Sequence, residues 1–236
     1  MKRSRDQVPC AGARSLLDSG VRDYCWLIWP CMSAMGATKG EPSLFWRASL
    51  NAAVALLMAS ARAVLRSHAV SCGANLGELL TTMNVHLARD TGEERFVTLF
   101  YGVLDGADLS LVYASAGHDP VLWLQAPGGD IEELPNTGVP LGALSDSVYR
   151  QAGPVRLHVG DVLLIGTDGI WEARNGAGER LGRDRVRDIL KASAALPAAD
   201  VYNRILQAVR DFRGPAPQED DITLVVIKMK EEMPEG

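Results

Sequence analysis

The chain has little cysteine, no extended basic run and no apolar stretch long enough to cross a bilayer. Each scarcity removes a class of function. Four cysteines stand among 236 residues, Cys10, Cys25, Cys31 and Cys72. No pair has zinc-knuckle or dithiol spacing, so a reduced, cytoplasmic chain is expected. Beyond residues 2–5 Lys and Arg do not cluster, and the formal net charge is −5; nucleic acid is not an expected partner. Residues 24–32 are apolar but too few for a span, and the run over 50–61 stops at Arg62, so no membrane partner is expected. Residues 1–7 lead into Val8-Pro9 rather than an apolar core, which argues against a signal peptide. Aspartate is also missing from one long interval, since none lies between Asp23 and Asp90.

The composition that is present, 47% apolar and 22% charged, is that of an ordinary globular chain. The length suits one large domain with short extensions. Residues 1–22 carry no clear pattern. Through residue 49 aromatic residues are interleaved with Gly, Pro, Ser and Cys without a sustained period, apart from a strand expected over 24–29. From Asn51 the text becomes regular. Residues 52–68 are rich in Ala, Leu, Met and Arg, and 76–89 repeat Leu76, Leu79, Leu80, Met83 and Leu87 at helical spacing; both are expected helices. Strand-like runs follow over 96–104, 109–114, 120–124, 131–134, 155–158 and 162–165, separated by Gly- and Pro-containing turns. They read as three hairpins, the third closing through Gly160-Asp161. Helices are expected over 183–194 and 198–212, a last strand over 222–229, and a polar tail at 231–236. The plan is α+β: two packed, mostly antiparallel β-sheets flanked by helices.

Two acidic motifs stand out. Gly166-Thr167-Asp168-Gly169 ends an apolar strand, and Asp220-Asp221-Ile222-Thr223 begins another. Carboxylates at strand ends can converge in the fold, and oxygen ligands suit hard cations such as Mg²⁺ and Mn²⁺. Taken alone, an Asp-Gly pair is more often a turn aspartate bonding its own backbone, and an acidic loop more often a solvated one. Period 2 sends the side chains of Asp220 and Asp221 in opposite directions, so one of them at most is expected to face an ion. Ser115-Ala116-Gly117-His118 and Gly138-Val139-Pro140-Leu141-Gly142 follow other strands. His118 is a candidate ligand or proton donor, with a hydrogen-bonded loop histidine as the plainer reading.

Together these motifs form a recognisable set. Residues 95–105 (Arg-Phe-Val-Thr-Leu-Phe-Tyr-Gly-Val-Leu-Asp), Tyr113-Ala114-Ser115-Ala116-Gly117-His118, the Gly138–Gly142 motif, the stretch from Gly160 to Asn175 and the stretch from Gln218 to Val226 follow one another in a characteristic order and spacing. In this the chain resembles the metal-dependent (PPM-type) protein serine/threonine phosphatases, in the branch typified by the sporulation phosphatase SpoIIE. The match is clear over residues 51–229. Residues 23–50 are atypical, and the domain is expected to occupy 23–230.

The resemblance implies a central α/β/β/α sandwich and two Mg²⁺ or Mn²⁺ ions held by aspartates and a glycine carbonyl. A metal-bound water would attack the phosphorus of phosphoserine or phosphothreonine, with no side-chain nucleophile. It implies Asp168 and Asp220 as metal ligands, with Gly169 beside the first, Asp221 as the lesser member of its pair, and His118 near the substrate. It also implies a phosphorylated regulatory protein as partner, such as an anti-sigma-factor antagonist.

One family feature is absent. An Asp-Gly metal motif normally precedes the first helix, whereas here residues 42–51 contain no acid and Glu41 is followed by Pro42. Asp23-Tyr24 resembles the family's Gly-Gly-Asp-Tyr motif, but Val21-Arg22 replaces both glycines. Asp23 is therefore a further candidate ligand, better suited to holding a metal-bound water than to bridging two ions. The expectation is a phosphatase with impaired turnover; the alternative is an inactive pseudophosphatase that binds a phosphoprotein.

Overall fold

The structure, a computed structural model, describes residues 24–27, 59, 61, 63–65, 75–91, 96–106, 108–126 and 129–230. Asp23 and the 231–236 tail lie outside the described residues. Residues 59, 61 and 63–65 are helical, and the rest of the helix expected over 52–68 lies outside them too.

Among the described residues, eight strands form two antiparallel sheets. The first contains β1 (Tyr24–Leu27), β2 (Leu99–Asp105), β3 (Ser110–Ala116) and β6 (Ala152–Arg156) in the order β1-β2-β3-β6. The second contains β4 (Val121–Leu124), β5 (Ile131–Leu134), β7 (Val162–Gly166) and β8 (Leu224–Lys228) in the order β5-β4-β7-β8. The helices are α1 (Leu76–Thr91), the single turn α2 (Asp168–Trp171), α3 (Arg183–Ala192) and α4 (Ala198–Arg213). Among the described residues no helix is long and apolar enough to cross a membrane.

Side-chain alternation builds the layers. On β2, Leu99 and Tyr101 join Leu79, Leu80, Met83 and Leu87 of α1, while Phe100 points the other way. On β7, Leu163 and Ile165 meet Phe100 and Tyr113 between the sheets, while Val162 and Leu164 pack against Val186 and Leu190 of α3 and Ile205 of α4. One period-2 pattern on each sheet thus gives helix, sheet, sheet, helix, with three apolar layers between them. α1 starts at an Asn75 cap, whose Oδ1 accepts the Glu78 N–H at 3.1 Å.

The third expected hairpin does not form. Gly160-Asp161 does turn, with the Asp161 N–H bonding His158 O at 3.0 Å. The strand before it, however, is displaced upstream to Ala152–Arg156 and pairs with β3, whereas β7 pairs with β4 and β8. The connection crosses between sheets because its turn is bound into the second one. The Asp161 carboxylate, fully buried, accepts from Ala126 N–H (2.7 Å), His158 N–H (2.9 Å) and Trp123 Nε1–H (3.0 Å). Three N–H donors satisfy a charge that burial would otherwise make costly.

Candidate functional site

Strand register brings the acidic motifs to one end of the second sheet. β7 and β8 run antiparallel with Gly166 opposite Leu224, so the chain leaving β7 meets the chain entering β8. β4 is antiparallel to β7 on its other side, with Leu122 opposite Leu164, which brings the residues before β4 to the same end. Asp168, Asp220, Asp221 and Asp119 all arrive there.

Thr167 joins the two motifs. Its N–H donates to Thr223 O at 3.1 Å, its Oγ1 donates to Asp221 O at 2.9 Å, and the same Oγ1 accepts the Thr223 N–H at 3.1 Å. Thr167 is nearly fully buried, so these bonds are shielded from water. Gly169 completes the seam. A Cβ added there would lie 2.5 Å from Asp221 O, so the close approach that this glycine permits is backbone against backbone.

The carboxylates differ in environment. Asp168 is half-buried and opens α2, where its Oδ1 accepts the Gly169 N–H at 3.0 Å. Burial pushes its carboxyl above the usual carboxylate range; the negative charges of Asp220 and Asp119, and to a lesser extent Glu172, push the same way, against the Gly169 N–H. Asp220 and Asp221 are exposed, and Asp220 Oδ1 accepts the Asp221 N–H at 2.7 Å. His118 is almost closed off from solvent, with its Nδ1–H donating to Asp119 O at 2.9 Å. The Gly117 before it has φ 63°, and its missing Cβ makes room for Pro140, so the two glycine motifs pack directly on each other.

Arginines neutralise the surrounding acids selectively. Arg183 pairs with Asp119, Arg180 with Glu172 at 3.0 Å, and Arg174 with Glu219 at 3.4 Å. Among the described residues, Asp168, Asp220 and Asp221 take part in no ion pair. Asp119 is the participant that sequence reasoning missed. It sits next to His118 in a loop, and its relation to Asp168 depends on the β4–β7 register; the Gly-His-Asp-Pro context alone does not signal it.

The donor chemistry here is all oxygen and carries unneutralised negative charge. That fits one hard divalent ion held by two carboxylates and retained water, the usual arrangement for Mg²⁺. Among the described residues, no three His, Cys, Asp or Glu side chains are grouped to hold an ion by themselves. Two adjacent ions would need more carboxylate than Asp168 and Asp220 supply.

Comparison with known proteins gives the family and the fold. A family model described as stage II sporulation protein E (SpoIIE) matches residues 51–230. The chain is 30% identical over 145 residues to Protein IcfG of Synechocystis sp., covering 61% of this chain and 22% of that protein. It is 27% identical over 161 residues to the phosphoserine phosphatase RsbU of Bacillus subtilis, covering 67% and 46% respectively. The match thus spans less than half the length of either relative. In fold it is similar to the SiaA-PP2C domain of Pseudomonas aeruginosa, with a TM-score of 0.64 at 22% identity, covering 75% of this chain and 70% of that one.

Proposed function

Since the chain belongs to the SpoIIE family across residues 51–230, we propose that it is a protein serine/threonine phosphatase that depends on a divalent cation, Mg²⁺ or Mn²⁺. The observation that carries this reading is the pair of acidic motifs, bonded to each other through Thr167 while Asp168 and Asp220 have no arginine partner among the described residues. Asp168 and Asp220 would hold the ion, with the Gly169 backbone beside them. Asp221 contributes its carbonyl to the seam, which leaves its side chain the weaker ligand. When bound, the ion supplies Lewis-acid polarisation of water and of a phosphoryl group. The chain's own residues bring the two carboxylates to one end of the second sheet, and the exposed rim at Asp220 and Asp221 leaves access for a phosphoryl group carried on a protein. The partner we propose is a phosphorylated regulatory protein such as an anti-sigma-factor antagonist, in keeping with the likeness to RsbU.

Turnover is impaired in this reading. No Asp-Gly motif precedes residue 52, and no third acid completes a pre-formed ion cage among the described residues. The same observation favours a second reading, a pseudophosphatase that binds a phosphoprotein without hydrolysing it. Mn²⁺-dependent hydrolysis of a phosphoserine protein and of an aryl phosphate by the full chain separates the two. Weak, Mn²⁺-dependent hydrolysis lost in Asp168→Ala supports the phosphatase. Mn²⁺ binding without hydrolysis supports the pseudophosphatase. Failure to bind Mn²⁺ at millimolar concentration rejects the cation centre, and robust turnover rejects the impairment.

A further inference from the structure

Arg183 occupies a position that a helix disfavours. It is the first residue of α3, where a cation opposes the helix macrodipole. Contacts with other parts of the fold hold it there. Its guanidinium pairs with Asp119, lies 3.8 Å from Glu133 of β5, and stacks over Trp171 at 4.4 Å from the ring centroid. The backbone is built to deliver it. Leu181 N–H bonds Ala173 O and Gly182 N–H bonds Trp171 O, each at 2.9 Å, and Gly182 turns with φ 83° into the helix. Trp171 closes the helical turn that Asp168 opens, and Asp119 is one of the carboxylates whose charge reaches Asp168. Arg183 therefore reaches the acidic centre through two neighbours, Asp119 and Trp171. A residue that breaks a local rule while making three tertiary contacts is more informative than one that follows it.

We propose that Arg183 is a positioning residue that clamps Asp119 and, by neutralising it, sets the cation affinity of the Asp168–Asp220 centre. The inference rests on the cation-centre reading above. With Arg183 present, the ion pair holds the Asp119 carboxylate and partly offsets the charge that reaches Asp168. Without it, a third bare carboxylate adds its field to the site. With Asp119 removed instead, the guanidinium keeps only Glu133 at 3.8 Å, and its less-compensated charge repels a divalent ion.

The test is Mn²⁺ binding to the full chain, followed by the electron paramagnetic resonance signal of the free ion. Arg183→Gln is expected to bind Mn²⁺ about fivefold more tightly, and Asp119→Asn about fivefold more weakly, from the Coulomb interaction of one unit charge with a divalent ion across hydrated surface. The double variant is expected within about twofold of the native chain, because the two charges cancel. Arg183→Lys keeps the charge and is expected near the native value. A purely structural ion pair would lower the melting temperature in both single variants and leave Mn²⁺ affinity unmoved; that result overturns the proposal, as does weaker binding by Arg183→Gln. If Arg183→Gln does not fold, Asp119→Asn decides: fivefold weakening supports the clamp, and native affinity overturns it. A native chain that binds no Mn²⁺ rejects the cation-centre reading and the clamp with it, whereas native binding that ignores both substitutions rejects the clamp alone.

Discussion

Replacing Gly169 by alanine tests the seam that brings the two acidic motifs together. The added Cβ would meet Asp221 O at 2.5 Å, the Asp221 carbonyl carbon at 3.1 Å and Ile222 Cγ1 at 3.4 Å. A carbon–oxygen contact ordinarily needs about 3.3 Å, so the segments must part by roughly 0.8 Å. Neither side is free to move, because Thr167 ties the same Asp221 carbonyl and the Thr223 N–H at 2.9 and 3.1 Å. Overpacking of this kind costs about 1–3 kcal/mol, and stretching one buried hydrogen bond adds about 1 kcal/mol. Alanine returns up to about 1 kcal/mol through its helix propensity, but α2 is a single turn and collects little of it. The net loss is therefore about 2–4 kcal/mol. For a domain of this size that lowers the melting temperature by roughly 4–16 °C. Thermal unfolding measures it, and a Mn²⁺ titration on the same sample should show binding at least about tenfold weaker, since the Asp220 segment is what moves. Gly176→Ala is the control: nothing lies within 4 Å of its Cβ position, and a change within about 0.5 kcal/mol is expected. A Gly169→Ala chain with native melting temperature and native Mn²⁺ affinity would refute the close approach and the convergence built on it.

Two further outcomes follow from buried and crowded carboxylates. Asp161→Ala strands three N–H donors, those of Trp123 Nε1, Ala126 and His158; urea unfolding should show a loss of about 3 kcal/mol, and an unchanged midpoint would refute the bonding described. Asp168 has its folded pKa raised by burial and by Asp220 and Asp119. The folded state thus binds more protons than the unfolded one between the unfolded pKa of 3.8 and the raised value, and ion-free stability falls as pH rises through that window. Asp168→Asn should therefore raise the melting temperature of the metal-free chain at pH 7 and lose that advantage below the unfolded pKa. An advantage that persists unchanged into acid would contradict it.

Much of the layering was legible because it rests on local periodicity. The helical spacing of Leu76, Leu79, Leu80, Met83 and Leu87 is the face α1 buries, and the continuous apolar run of β7 is a strand covered on both sides. The pairing β4–β5 could be read for the same reason, since its turn is short and its two strands are sequence neighbours. Sheet membership of β6 could not. Gly160-Asp161 has the chemistry of a hairpin turn, but the Asp161 carboxylate is bonded to Ala126 and Trp123, which are 35 and 38 residues away in the chain. The same non-locality hid Asp119. Its neighbour His118 drew the eye as a titratable side chain, whereas the β4–β7 register is what carries the adjacent acid toward Asp168. The convergence of Asp168 with Asp220 was inferable only because each flanks an apolar run and both belong to one family pattern.

The way charge is divided around the site bears on what it does. Within residues 174–183 the chain commits three arginines to acids near Asp168: Arg174 to Glu219, Arg180 to Glu172 and Arg183 to Asp119. Guanidinium is thus abundant beside the centre, and still, among the described residues, none of it is paired with Asp168, Asp220 or Asp221. Burial first, and the like charges of Asp220 and Asp119 after it, raise the Asp168 pKa and so the energy of its ionised form in the ion-free fold. In the proposed reading a divalent cation would relieve that repulsion, and an arginine at Asp168 would remove the site proposed for it. The arrangement therefore favours retained cation binding under either reading of the function. Phosphatase and pseudophosphatase differ in whether the bound ion is held well enough to turn over a phosphoprotein, so binding alone does not distinguish them and hydrolysis must.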